Sequence, residues 1–99
     1  MRLTQEQLRI IKQVAGEIFG ADARVRVFGS RLDDQARGGD IDLLVESDTV
    51  IDDKMKRMLR MTARLQLRLG DQPIDILVVD PNTPLNPVHR QALQTGRPL

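Results

Sequence analysis

The sequence contains no cysteine, tryptophan or tyrosine, and its only aromatic residues are Phe19 and Phe28. The absence of cysteine excludes disulfides and thiolate metal sites. Two phenylalanines do not make the stacking surface on which proteins hold single-stranded nucleic acid, so direct nucleic-acid binding is not expected. The single histidine, His89, has no second His or Cys near it in the sequence, and we assign it no catalytic role.

Long apolar runs are also missing. No stretch is long enough to cross a membrane, and residues 1–10 (MRLTQEQLRI) lack the uninterrupted apolar segment of a signal peptide. We therefore expect a cytoplasmic protein with no membrane partner. A chain of 99 residues can bury roughly two-thirds of its unfolded surface, and we expect one domain over residues 1–99.

The net charge of +1 conceals an uneven distribution of charge. Residues 33–53 contain eight acidic residues and one basic residue, whereas residues 54–68 contain six basic residues and no acidic one. An acidic segment beside a basic helix suits a metal with a phosphate ligand, or a charged partner. Four arginines keep to one side of that helix: Arg57, Arg60, Arg64 and Arg68. Such a stripe is typical of a solvated face, but a docking surface for an acidic partner or RNA stays open.

Three strands follow a first helix. Thr4 and Gln7 have the spacing of a capping box at the start of that helix, and Gly20 is expected to end it. Apolar residues then recur as strands require. The predicted strands cover residues 24–28, 40–46 and 73–79.

Two further helices complete the predicted order α-β-β-α-β-α. Asp52 and Asp53 are expected in the first turn of a helix that runs to about Leu69, and Asn86-Pro87 is expected to start a last helix. The apolar stripe predicted for the longer helix is Met55, Met58, Leu59, Thr62, Leu65 and Leu69. This order predicts an α/β (α+β) fold with a small mixed sheet flanked by helices.

Two carboxylates interrupt the second, otherwise apolar strand. Asp40 and Asp42 share one face because strand side chains alternate, and a buried charge there needs a compensating partner. Asp75 in the third strand joins them if the two strands are neighbours. Three such groups repel, so they favour protons or a divalent cation. With oxygen ligands only, Mg²⁺ is expected, with Mn²⁺ as the alternative.

A glycine ends the first strand just before these carboxylates. Gly29 lets the backbone turn and approach a ligand closely, and Ser30 offers a hydroxyl and an N–H to a phosphate. Arg31 follows, where it could meet a phosphate oxygen. Together with the carboxylates, this arrangement indicates transfer from a nucleoside triphosphate, since two metal ions can clamp the attacking and leaving oxygens at phosphorus.

The segment GSRLDDQARGGDID resembles the Gly-Ser-spacer-Asp-x-Asp motif of the DNA polymerase beta-type nucleotidyltransferase superfamily, and PIDILVVD resembles the strand that carries its third aspartate. In size and in its HRQALQTGRPL ending the chain resembles the minimal nucleotidyltransferases of bacteria and archaea, which are commonly antitoxins of HEPN-domain ribonuclease toxins. The sequence departs from many minimal members in its spacer, which has nine residues between Ser30 and Asp40 and a glycine, Gly39, before the first aspartate.

The resemblance implies a fold, a site and a reaction. Gly29 and Ser30 would hold the triphosphate, Asp40 and Asp42 would bind two Mg²⁺ ions, and Asp75 would bind the catalytic ion and help to deprotonate the acceptor. The implied reaction is transfer of AMP from ATP to a tyrosine of a HEPN-type toxin.

Two other functions stay open at this point. The chain could neutralise its partner by occlusion without catalysis, or it could modify a small molecule, for which a homo-oligomer could build the cleft.

Overall fold

A computed structural model of the protein describes residues 3–29 and 40–99. Within these ranges the chain alternates between helices and strands in nearly the predicted order. The helices are α1 (Gln5–Phe19), α2 (Lys54–Leu69) and α3 (Pro87–Thr95). The strands are β1 (Arg24–Phe28), β2 (Ile41–Glu46), β3 (Ile74–Val79) and β4 (Arg97–Pro98).

The strands form one mixed sheet in the order β3-β2-β1-β4. β1 is antiparallel to both β2 and β4, whereas β2 and β3 are parallel. A parallel pair needs a crossover connection, and α2 supplies it. The predicted mixed sheet flanked by helices is confirmed, and β4 is an addition that the sequence pattern did not predict.

Helices α1 and α2 cover one face of the sheet and enclose the main core. Ile41, Leu43 and Val45 point into it from β2, and all three are fully buried. Their partners in this core include Ile11 and Val14 of α1, Val27 of β1, and Met61 and Leu65 of α2. The predicted capping box starts α1, with the Thr4 hydroxyl accepting from the Gln7 N–H at 3.0 Å and the Gln7 side chain accepting from the Thr4 N–H at 2.8 Å.

Helix α3 covers part of the opposite face, which is the face of Asp42. Leu44 follows Asp42 on that face, and it is fully buried, as is Ala92 of α3. The helix contacts both β1 and β2. Farther along the same face, Arg26 bonds Glu46 at 2.9 Å. At the other end of this face Asp40 and Asp75 are exposed, so that end is open among the described residues.

The start of α2 differs from the prediction. The helix begins at Lys54, and Asp53 adopts a left-handed conformation (φ 56°) without a capping hydrogen bond, so no acidic residue lies in the first turn. The prediction that Asp52 and Asp53 occupy that turn is therefore wrong. The predicted apolar stripe is wrong in part, because Met55 and Leu59 are exposed.

A buried carboxylate ties α2 to the end of β3. Asp80 accepts from the Ile51 N–H at 2.9 Å, the Lys54 ammonium at 3.1 Å and the Thr83 hydroxyl at 3.0 Å. These bonds lower its pKa well below the usual range, and the Ile51 N–H is the strongest cause. The link fixes the helix against the strand that contains Asp75.

None of the helices in the described part of the chain has the length and apolar content needed to cross a membrane.

Candidate metal centre

Three aspartates meet at one end of the sheet, as the alternation of strand side chains predicted. Asp42 in β2 lies opposite Asp75 in β3 in the parallel ladder, and opposite Phe28 in β1 on its other side. Asp40 immediately precedes β2 rather than lying within it. The Ile41 N–H donates to the Pro73 carbonyl at 3.0 Å, which aligns the starts of β2 and β3.

The side chains of these aspartates are close enough to share a cation. One carboxylate oxygen from each of Asp40, Asp42 and Asp75 lies within 4.8 Å of the others. Asp40 and Asp75 are exposed, and Asp42 is half-buried. Across residues 3–29 and 40–99, no other group of three His, Cys, Asp or Glu side chains converges in this way.

The cluster has no compensating cation among the described residues. None of its three carboxylates forms a side-chain hydrogen bond or an ion pair with any residue of 3–29 or 40–99, whereas Asp48 and Asp80 are paired with basic groups. Burial raises the pKa of Asp42, and the charges of Asp75 and Asp40 raise it further. The negative charge at Asp42 is therefore destabilised as long as no cation joins it.

Gly29 brings the backbone against the most buried member of the cluster. It follows β1 with a φ of 77°, a conformation that residues with a side chain rarely adopt. A Cβ at this position would overlap a carboxylate oxygen of Asp42. The backbone angle therefore favours glycine at this position, and any side chain there would also displace the Asp42 carboxylate.

The other predicted phosphate ligands, Ser30 and Arg31, lie outside the described residues. The structure therefore brings together four of the six predicted site residues, namely Gly29, Asp40, Asp42 and Asp75.

His89 has a structural contact in α3. Its ring Nδ1 accepts from the Asn86 N–H at 3.1 Å, and its own N–H donates to the Asn86 side chain at 3.0 Å. This reciprocal pair is a capping box at the start of α3.

Asp80 is the positioning residue that the sequence analysis did not single out. Its signal in the sequence is the run Asp80-Pro81-Asn82-Thr83, which is typical of a turn closed by an aspartate side chain. The Asn82 N–H does donate to the Asp80 carboxylate at 3.0 Å.

The donor set fits a hard divalent cation. Three carboxylates without sulfur or imidazole ligands suit Mg²⁺ or Mn²⁺ rather than zinc. Mg²⁺ usually takes one or two protein carboxylates and completes its shell with water and phosphate oxygens, which the exposure of Asp40 and Asp75 permits. A cation held by these carboxylates would neutralise charge on a polyphosphate bound next to Gly29.

Comparisons with known proteins agree with this chemistry. The sequence model of the family described as "Nucleotidyltransferase domain" matches residues 8–94, which include all six predicted site residues. No curated protein matches the chain significantly.

Proposed function

Because the chain belongs to the nucleotidyltransferase domain family, we propose that it moves AMP from ATP onto a hydroxyl group of a partner protein in a reaction that requires Mg²⁺. The acceptor in this proposal is a tyrosine of a HEPN-type toxin, and the chain is its antitoxin. The observation that supports the proposal is the convergence of Asp40, Asp42 and Asp75 without a compensating cation among the described residues. The toxin partner follows from the resemblance to minimal nucleotidyltransferases.

In the proposed reaction one bond forms and one breaks at the α-phosphorus of ATP. The acceptor oxygen bonds to that phosphorus, the bond to the bridging oxygen breaks, and pyrophosphate leaves. Asp75 is the proposed acceptor of the hydroxyl proton, since it is exposed and next to Asp42. Bound Mg²⁺ would supply charge neutralisation for the phosphates and the leaving group.

The triphosphate would lie at the open end of the aspartate face. Gly29 follows β1 directly beside the Asp42 carboxylate, and α3 closes the face beyond Leu44. We propose that Ser30 and Arg31 contribute phosphate contacts, as the family motif implies.

The test is intact-mass spectrometry of the protein encoded by the neighbouring gene, co-expressed with wild type or with Asp42→Asn. Wild type should add whole AMP units to the partner, and Asp42→Asn should add none, because the substitution removes a proposed metal ligand at constant shape. Asp22→Asn is the matched control, since Asp22 is exposed and unpaired within residues 3–29 and 40–99.

Two results would contradict the proposal. Undiminished transfer by Asp42→Asn would show that the aspartate cluster does not perform the reaction. An unmodified partner that co-purifies with both proteins would instead favour neutralisation by occlusion.

A further inference from the structure

The outward side of α2 carries a row of apolar side chains that no described element covers. Met55, Leu59 and Leu67 are 65%, 59% and 87% exposed, and Ala63 between them is exposed as well. The four residues are spaced four apart, so they form one continuous ridge of the helix. Over twelve residues this ridge is about 18 Å long. Such a ridge is the element that packs into the groove of another helix.

A basic row runs directly beside the apolar row. It consists of Lys56, Arg60, Arg64 and Arg68, also spaced four apart. Arg64 lies 3.8 Å from Glu17 of α1, and both side chains are more than 40% exposed. Arg68 is close enough to Glu6 of α1 for its charge to lower the pKa of that carboxyl. Lys56 and Arg60 form no ion pair with any residue of 3–29 or 40–99. Arg57, which was predicted to belong to this stripe, instead donates to the carbonyls of Ile18 and Asp52. We call the apolar and basic rows together the α2 outer face.

Shallow grooves flank both ends of the apolar row. Near its start, Met55 borders a groove of about 240 Å³ whose other walls include Ile76 and Val78 of β3. Near its end, Ala63 and Leu67 border a groove of about 450 Å³ that also contacts Asp71. The face thus has both ridges and recesses for side chains of a partner.

We propose that the α2 outer face docks an amphipathic helix of a partner protein whose apolar stripe is edged by acidic residues. The apolar row would pack against the stripe, and the basic row would pair with the acids. The inference rests on the proposed function in so far as a protein acceptor needs a docking surface, and it adds where the partner binds and what chemistry it presents.

Charge and composition favour this occupant over others. A second copy would present another α2, and residues 54–69 contain no acid to pair with the basic row. RNA would satisfy the basic row but would leave three large apolar side chains against a polar backbone. An acidic amphipathic helix satisfies both rows at once.

The test uses a synthetic amphipathic peptide, with leucines at helical spacing and glutamates beside them, titrated against the full chain by fluorescence anisotropy. A second peptide with lysines in place of the glutamates keeps the same apolar stripe. The acidic peptide should bind and the basic peptide should not. The substitutions Lys56→Glu with Arg60→Glu should weaken acidic-peptide binding about tenfold or more.

Matched variants separate the two rows and control for folding. Leu59→Gln with Leu67→Gln should also weaken binding, and glutamine keeps the helix propensity of leucine. Lys12→Glu reverses an exposed basic residue of α1 and should leave peptide binding unchanged.

A parallel titration with Mg²⁺ and ATP keeps this inference distinct from the proposed function. Docking variants should retain nucleotide binding, and Asp42→Asn should retain peptide binding. If the wild type does not bind ATP in the presence of Mg²⁺, the proposed function is contradicted and the docking proposal is not. Three results would overturn the docking proposal. They are equal affinity for both peptides, no saturable peptide binding up to ~1 mM, and preferential binding of phosphatidylserine vesicles or polyuridylate.

Discussion

Replacing Asp42 by asparagine should make the metal-free protein more stable, although Asp42 lies at the centre of the candidate site. The carboxylate oxygens of the cluster lie within 4.8 Å of one another. At a separation of 4.8 Å two unit charges repel by about 3.5 kcal/mol at an effective dielectric constant of about 20, and by about 0.9 kcal/mol in water. Because Asp40 and Asp75 are exposed, the lower value is appropriate for each pair.

With two such neighbours, removal of the charge at Asp42 should raise the free energy of unfolding by about 1–2 kcal/mol. For a chain of this size each kcal/mol raises Tm by roughly 4–8 °C. The measurement is thermal and urea unfolding of both proteins at pH 7 in EDTA, with Asp71→Asn as the control. Asp71 is exposed and lies outside the cluster.

The pH dependence of stability gives a second, independent check that Asp42→Asn raises the free energy of unfolding. The pKa of Asp42 is raised above 3.8 in the folded state, so the fold favours its protonated form. Below pH 3.8 the wild type and the variant should therefore have the same free energy of unfolding. As pH rises through the folded-state pKa of Asp42, the free energy of unfolding of the wild type should fall below that of the variant.

Mg²⁺ should reverse the difference between the two proteins. At a hundred times its Kd, a ligand that binds only the folded state adds about 2.7 kcal/mol, which exceeds the expected difference of about 1–2 kcal/mol. The wild type should gain this increment while the variant gains little. A variant that is no more stable than wild type in EDTA at pH 7 would refute the electrostatic reasoning.

Three further substitutions test the supporting structure. Gly29→Ala should lower the free energy of unfolding by about 1–3 kcal/mol in urea unfolding, because the left-handed backbone and the Asp42 carboxylate both oppose a Cβ; an unchanged midpoint would contradict this. Asp80→Asn should lower Tm at neutral pH and make Tm depend less on pH in the acid range. The reason is that the lowered pKa of Asp80 stabilises the fold above pH 3.8, and this stability is lost as pH falls. A decrease of Tm with falling pH as steep as that of wild type would contradict this. Asn86→Ala should cost about 1 kcal/mol by urea unfolding through loss of the α3 cap, and Asn86→Ser should recover most of it; equal losses in both variants would exclude capping as the cause.

The site could be predicted from the sequence because strand alternation is a short-range property. It placed Asp40 and Asp42 on one face, and Asp75 on a face of its own strand, without any tertiary information. That β2 and β3 are neighbours, and that Asp42 lies opposite Asp75, depends on the parallel pairing that α2 allows. Alternation alone cannot specify that pairing, so the sequence predicts the cluster only on the condition that β2 and β3 are neighbours.

The start and the buried side of α2 were harder to predict. Two acids before a helical pattern usually enter the first turn, but Asp53 adopts a left-handed conformation and the helix starts one residue later. Apolar residues also lie on two sides of this helix. Met61 and Leu65 face the core while Met55 and Leu59 face outward, and both sets have helical spacing. Periodicity therefore could not decide which side is buried.

The two-residue strand β4 was missed for a different reason. Arg97 and Pro98 show no strand pattern, and their pairing with β1 is a tertiary contact made where the chain leaves α3. The Leu99 N–H continues this contact by donating to the Val25 carbonyl at 2.9 Å.

The opposition of Asp42 and Asp75 also makes the candidate site depend on the register of β3. Side chains in a strand change face at every residue, so a slip of β3 by one residue against β2 would turn Asp75 toward the core and bring an apolar neighbour to the open face. Ile74 and Ile76 oppose such a slip, because both are buried in the core and would lose that burial. The third carboxylate is therefore held beside the other two by apolar side chains on the opposite face of its own strand.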